Sequence, residues 1–129
     1  YGHVGKLVAQ MAERKGYHVM LSDPPLGIGL SLEEMAPQCN ILTFHTPLTC
    51  DGEYPTYHLC NAAILRLCKP GALIINAARG GVIDEQALLA HLTSHPFREG
   101  LGVGLSITGS LRVHKQRLSS RRRSNNAMI

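Results

Sequence analysis

The sequence lacks a long apolar run, and we therefore expect no membrane-spanning helix in it. None of its apolar stretches approaches the ~20 residues that a transmembrane helix needs. The chain does not open on a basic segment followed by an apolar one, so a secretory signal is not expected. We therefore expect a cytoplasmic chain that makes no membrane contact.

Paired cysteines of the C-x-x-C type are also lacking. The four cysteines are Cys39, Cys50, Cys60 and Cys68. Their spacings match no zinc finger or ribbon, and reduced thiols of a cytosolic protein are expected. His91 and His95 lie four residues apart on a predicted helix, but no third ligand accompanies them. We therefore expect no metal site.

Acidic residues are absent from the end of the chain, so the net charge of +4 is unevenly distributed. Residues 111–129 carry six basic residues and no acid, whereas residues 1–110 carry seven basic and nine acidic residues. The basic segment contains no aromatic residue that could stack on nucleic-acid bases. We interpret residues 106–129 as a disordered basic tail and do not favour nucleic acid as a partner. Salt-sensitive DNA binding that disappears on deletion of residues 111–129 would support the opposite interpretation.

Strand and helix periodicities alternate over the first hundred residues. Short apolar segments predict strands near 17–21, 40–45 and 72–76, and periodic or capped segments predict helices near 4–12, 31–37, 62–67 and 84–95. Strands that are apolar on both faces and separated by helices indicate the doubly wound parallel α/β class, with helices on both faces. We expect an incomplete Rossmann-type sheet over residues 1–105, with its first strand and a substrate domain missing.

The first residues match the end of a G-x-G-x-x-G fingerprint. Gly2 would allow a pyrophosphate to approach the backbone, and Gly5 would allow the following helix to pack closely on a strand. The helix N-terminus would bind the anion through its amides. Asp23 follows Gly5 by 18 residues, just after a predicted strand, where an acid binds ribose hydroxyls and disfavours a 2′-phosphate. An ordinary Asp-Pro turn is the alternative interpretation of Asp23.

Three motifs then follow in order along the chain. They are H-T-P-L-T at residues 45–49, D-G-E-Y-P-T at residues 51–56 and N-A-A-R-G at residues 76–80. From Tyr1 to about Leu92, this ordered set resembles the D-isomer-specific 2-hydroxyacid dehydrogenases. The D-G-E-Y-P-T motif and the D-P-P turn at residues 23–25 resemble a subfamily that acts on a small phosphorylated 2-hydroxy acid.

The resemblance implies a role for each of several residues. The pyrophosphate loop of NAD binding would comprise Gly2, His3, Val4 and Gly5, the ribose ligand would be Asp23, and a further cofactor contact would be Thr46. Arg79 would be the catalytic arginine, which holds the substrate carboxylate through two parallel hydrogen bonds. Outside its motif, Arg79 would be an ordinary loop residue. The resemblance also implies a homodimer for the intact enzyme.

The sequence departs from the family pattern near residue 103. In this family a histidine takes the substrate hydroxyl proton, and a glutamate orients that histidine. Residues 105–109 read L-S-I-T-G where the glutamate is expected, no segment supplies the histidine, and Val103 replaces an expected aspartate. We expect little or no activity from this chain alone. We interpret the change as a frameshift or truncation, which reading the coding DNA in other frames would test.

Two other functions remain open at this stage. Cys50 and Tyr54 replace an arginine and a histidine expected in the subfamily, which leaves room for a phosphoglycerate- or glyoxylate-type dehydrogenase. A non-catalytic NAD(H)-binding module is the second alternative, and it would bind the dinucleotide without turnover.

Overall fold

The computed structural model describes residues 1–94, 103–104 and 126–128. Its helices are α1 (His3–Arg14), α2 (Leu32–Met35), α3 (Ala62–Leu67) and α4 (Glu85–Ser94). Its strands are β1 (His18–Met20), β2 (Ser22–Asp23), β3 (Ile28–Gly29), β4 (Ile41–Phe44), β5 (Leu73–Asn76), β6 (Val103–Gly104) and β7 (Asn126–Met128). Within these described parts of the chain, no helix is long and apolar enough to cross a membrane.

Five of the strands form one parallel sheet in the order β1-β7-β4-β5-β6. β4 and β5 pair from Ile41 opposite Leu73 to Phe44 opposite Asn76. Parallel neighbours need a crossover connection, and α3 supplies it between β4 and β5. The predicted parallel α/β sheet is therefore confirmed.

The hydrophobic core lies against the face of the sheet that carries Leu42, Phe44 and Ile74. These side chains are buried together with residues of the three helices that follow α1 along the chain. The helix residues of this core are Leu32, Met35, Ile64, Leu65 and Leu88. Removal of this apolar surface from water holds the helices to the strands.

Local signals determine where the helices begin and end. Ser31 and Glu34 form the predicted capping box of α2, each side chain bonded to the other residue's backbone amide. The Asp84 carboxylate accepts a bond from the Ala87 amide at 3.0 Å and caps α4, as predicted. Gly16 adopts φ +82° just after α1, the conformation that ends a helix at lowest cost in glycine.

The strand β7 lies in the middle of the sheet, between β1 and β4. The sequence analysis assigned its residues to a disordered tail, so the structure corrects that prediction at residues 126–128. Without β7, β1 and β4 would each expose a row of unpaired backbone amides and carbonyl groups at this position. β7 lies between them and forms hydrogen bonds with both rows. The other residues expected in the tail, 106–125 and 129, lie outside the described residues.

A hairpin of β2 and β3 holds Asp23, an arrangement that the sequence analysis did not predict. Asp23 pairs with Ile28, and Ser22 pairs with Gly29, in an antiparallel register. Gly29 has φ +81°, and a Cβ added there would overlap the Leu21 carbonyl group. Only glycine therefore fits this position.

Substituting Gly29→Ala should lower the free energy of unfolding by more than about 2 kcal/mol, because backbone overlap adds to the roughly 1–2 kcal/mol cost of the left-handed conformation. Gly27→Ala is the matched control, since Gly27 has φ +63° but open space around its Cβ position. Urea denaturation of both variants measures the difference. Equal losses of stability would show that the overlap at Leu21 is relieved without cost.

Candidate nucleotide-binding site

The carboxyl ends of β1, β4 and β5 lie at one edge of the sheet, because the strands are parallel. Asp23 follows β1 after three residues, Thr46 follows β4 after two, and Arg79 follows β5 after three. The fold therefore brings these three predicted site residues to the same edge. Ligands of open α/β sheets bind at this edge, where the strand order reverses.

The N-terminus of α1 lies beside this edge, and its first backbone amides have no partner within the helix. Gly2 precedes the helix in an extended conformation, and no side chain caps it. The first intrahelical bond runs from the Lys6 amide to the Gly2 carbonyl oxygen at 3.0 Å. The amides of His3, Val4 and Gly5 consequently have no partner within the helix, and together with the helix dipole they favour an anion.

Asp23 lies against the segment that precedes α1. Its carboxylate contacts the amino group of Tyr1, so the predicted pyrophosphate loop and the predicted ribose ligand are neighbours. The Asp23 side chain is only 16% exposed, and the β2–β3 hairpin fixes its backbone. A half-buried carboxylate on a fixed strand can accept hydroxyl hydrogen bonds with little loss of entropy.

Arg79 lies in the turn that follows β5, and the buried side chain of Asn76 fixes this turn. The side-chain Nδ2 of Asn76 donates to the Arg79 backbone carbonyl oxygen at 2.8 Å. The side-chain Oδ1 of Asn76 accepts from the Ala78 backbone amide at 3.0 Å. Asn76 is 4% exposed, whereas Arg79 is exposed. Among the described residues, the Arg79 guanidinium has no acidic partner.

His45 carries a signal to which the sequence analysis assigned no role. His45 immediately precedes Thr46, and its Nε2 lies 2.9 Å from the Thr43 hydroxyl oxygen. Its Nδ1 is buried and has no hydrogen-bond partner among the described residues. Burial lowers the pKa of His45 below its usual 6.5, so the neutral ring is favoured at this edge. Periodicity alone could not have revealed this, because it contains no information about partners.

The parallel sheet, the uncapped helix N-terminus and the acid at the carboxyl edge together define a Rossmann-type nucleotide-binding domain. The family model for the NAD-binding domain of D-isomer specific 2-hydroxyacid dehydrogenases matches residues 1–101. The chain belongs to this family, and NAD is the cofactor of the domain. The family resemblance found in the sequence is thus confirmed.

Individual relatives cover most of this chain but only part of their own length. Erythronate-4-phosphate dehydrogenase of Salmonella arizonae is 42% identical over 99 residues, which cover 72% of this chain and 26% of that protein. A D-lactate dehydrogenase from Treponema pallidum has a TM-score of 0.60 at 30% identity, over 73% of this chain and 29% of that one. An acyclic imino acid reductase, solved with NADPH and D-Arg, has a TM-score of 0.62 at 28% identity. The match covers 72% of this chain and 31% of that one. The chain spans about a quarter of the curated relative's length.

The lowered pKa of His45 generates a pH prediction. The unfolded chain binds the proton more tightly than the folded one, so this residue reduces stability as the pH falls from about 6.5 through the lower folded pKa. His45→Gln removes the titration and keeps a group that can bond Thr43. The free energy of unfolding should then fall less steeply between about pH 7 and pH 5.

Urea denaturation over this pH range measures the slope, and His18→Gln, at an exposed position of β1, is the control. The control variant should retain the slope of the unchanged chain. If His45→Gln retained it as well, burial of His45 would not be the cause of the acid sensitivity.

Proposed function

We propose that this chain is the NAD-binding part of a dehydrogenase that oxidises 4-phospho-D-erythronate to 2-oxo-3-hydroxy-4-phosphobutanoate, in the synthesis of pyridoxine (vitamin B6). The observation that carries the proposal is the exposed Arg79, which has no acidic partner in the part of the chain that the structure describes, at the same edge as the proposed cofactor-binding residues. The identity to erythronate-4-phosphate dehydrogenase supports the choice of substrate. The D-G-E-Y-P-T motif at residues 51–56 supports it as well.

The residues present at this edge fit a dinucleotide. The amides of His3, Val4 and Gly5 would bind the pyrophosphate, and at Gly2 a Cβ would meet nothing within 4 Å, which leaves open space. Asp23 would accept the ribose hydroxyls, and Thr46 would contact the cofactor from the end of β4. When bound, NAD supplies the acceptor for the hydride that leaves C2 of the substrate.

Arg79 would hold the substrate carboxylate. Its planar guanidinium can donate two parallel hydrogen bonds to the two carboxylate oxygens, which fixes the orientation of C2 as well as its distance. Asn76 supports this role, because its side chain bonds the backbone of Ala78 and of Arg79 and so fixes the backbone from which the Arg79 side chain extends. Positioning of this kind is a large part of catalysis in bimolecular reactions.

The chain alone should be nearly inactive. Residues 105–109 lack the glutamate that the family pattern expects there, and no segment of the sequence matches the one that would supply the histidine base. Loss of a general base costs about two to four orders of magnitude in rate. We propose that residues 1–105 supply cofactor binding, and that a substrate domain is needed for turnover.

We further propose a cytoplasmic location and a homodimer for the intact enzyme. The four cysteines at positions 39, 50, 60 and 68 are unpaired, which suits a reducing compartment. Burial raises the pKa of Cys39 to about 11 and that of Cys60 to about 12. These two thiols therefore stay protonated and unreactive at neutral pH.

Substituting Asp23→Ser should weaken NADH binding and reduce its preference over NADPH by about tenfold, because the carboxylate repels the 2′-phosphate. NADH and NADPH fluorescence titrations measure both affinities. Asp51→Ser, in an exposed loop, is the control and should change neither. An unchanged preference in the Asp23 variant would remove this residue from the proposed ribose site.

Substituting Arg79→Lys should raise the Kd for 4-phospho-D-erythronate, measured in the presence of NADH, by about tenfold, because the two parallel hydrogen bonds are lost. NMR shifts of the amides at residues 79–82 report the binding. Arg66→Lys, exposed near the end of α3, is the control. NADH binding without any response to 4-phospho-D-erythronate would favour the non-catalytic NAD-binding module instead.

A further inference from the structure

Two threonines close the loop that follows β4. The Thr49 amide donates to the Thr56 hydroxyl oxygen at 2.8 Å, and the Thr56 amide donates to the Thr49 hydroxyl oxygen at 3.1 Å. The Thr56 hydroxyl group also donates to the Pro47 carbonyl oxygen at 2.6 Å. We call this reciprocal set, formed by Thr49 and Thr56, the threonine clasp. It ties the two ends of the loop together across residues 50–55.

The chain that leaves the clasp runs directly to the turn that carries Arg79. The Tyr57 amide donates to the Thr49 carbonyl oxygen at 2.9 Å, and the next amide, that of His58, donates to the Gly81 carbonyl oxygen at 2.7 Å. His58 has φ +53°, a left-handed conformation that costs energy in a residue with a side chain. The neighbouring bonds therefore constrain His58 to this conformation.

Side chains on both sides of the clasp also pack on Gly81. A Cβ added to Gly81 would lie 3.3 Å from methyl carbons of Leu48 and 3.3 Å from the Tyr57 ring. Leu48 precedes Thr49, and Tyr57 follows Thr56. Leu48 and Tyr57 thus form the contact surface against Gly81, and the clasp between them holds these two residues at a fixed separation.

A second connection lies just beyond this contact. Cys60 forms a parallel bridge with Ile83, in which the Cys60 amide donates to the Val82 carbonyl oxygen at 3.1 Å. The Asp84 amide in turn donates to the Cys60 carbonyl oxygen at 3.0 Å. Residues 81–84 are therefore attached along their length to the segment that leaves the clasp, while Asn76 holds the other end of the turn.

We propose that Thr49 and Thr56 are positioning residues for Arg79, acting through the segment from Tyr57 to Cys60. This inference rests on the proposed role of Arg79 in binding the substrate carboxylate. Each threonine contributes a hydroxyl group that accepts a bond from the other residue's amide, so loss of either hydroxyl weakens the clasp and leaves the 3.0 Å bond from the Thr56 amide to the Thr49 carbonyl oxygen to hold it. A weakened clasp would loosen the contact surface against Gly81, and the part of the Arg79 turn that bonds His58 would be held less tightly.

Hydrogen exchange tests the structural part without any ligand. Thr56→Val keeps the shape of the side chain and removes its hydroxyl group, whereas Thr56→Ser restores the hydroxyl group. In Thr56→Val the amides of His58 and Val82 should exchange up to about tenfold faster than in the unchanged chain. In Thr56→Ser their exchange rates should stay within about twofold of those in the unchanged chain. Amides of the β4–β5 pairing should not change. Unchanged exchange at His58 and Val82, or equal acceleration in β4 and β5, would overturn the proposal.

Binding of 4-phospho-D-erythronate in the presence of NADH tests the functional part. Thr56→Val should raise its Kd about fivefold, with NADH affinity unchanged, and Thr56→Ser should restore it. If Arg79→Lys weakens binding and Thr56→Val does not, the positioning role is wrong although the proposed function stands. If Arg79→Lys has no effect, the proposed function fails, and the positioning role fails with it whatever the exchange rates show.

Discussion

The parallel pairing of β4 with β5 is the constraint on which the rest of the site depends. Four residue pairs, from Ile41 with Leu73 to Phe44 with Asn76, place the two strands in a single register. Burial of Leu42 and Ile74 in the core stabilises this register, because a shift of one residue would turn these side chains to the opposite face. The same register sets Thr46 and Arg79 at one edge, and so a packing interaction positions the two residues for which we propose cofactor and substrate contacts.

Asn76 connects this packing to the chemistry of the site. It is the last residue of β5 and is buried, and a buried amide without hydrogen bonds would cost roughly 1–3 kcal/mol. It avoids that cost by bonding the backbone of the turn that follows. The requirement to satisfy a buried polar group therefore shapes the turn, while the Arg79 side chain itself remains exposed. In this chain a backbone fixed by Asn76 therefore carries an exposed cationic side chain.

Features that depend on near neighbours in the chain were predictable from the sequence. The capping box at Ser31, the cap at Asp84 and the stop at Gly16 each involve residues within four positions of one another. The strands β4 and β5 follow from apolar runs that suit burial on both faces. The order of the site residues along the chain, together with the rule that parallel strands end at one edge, placed Asp23, Thr46 and Arg79 together.

Features that depend on contacts between distant segments were decided only by the tertiary structure. The place of β7 between β1 and β4, the hairpin around Asp23 and the bond from His58 to Gly81 leave no periodic or compositional signal. The physical reason is that nearly every residue type carries the same backbone donor and acceptor. The identity of a residue therefore does not indicate which distant backbone group it will bond in the folded chain. The sequence by itself determined the elements and the chemistry of the side chains, and the tertiary structure determined which of them are held in place.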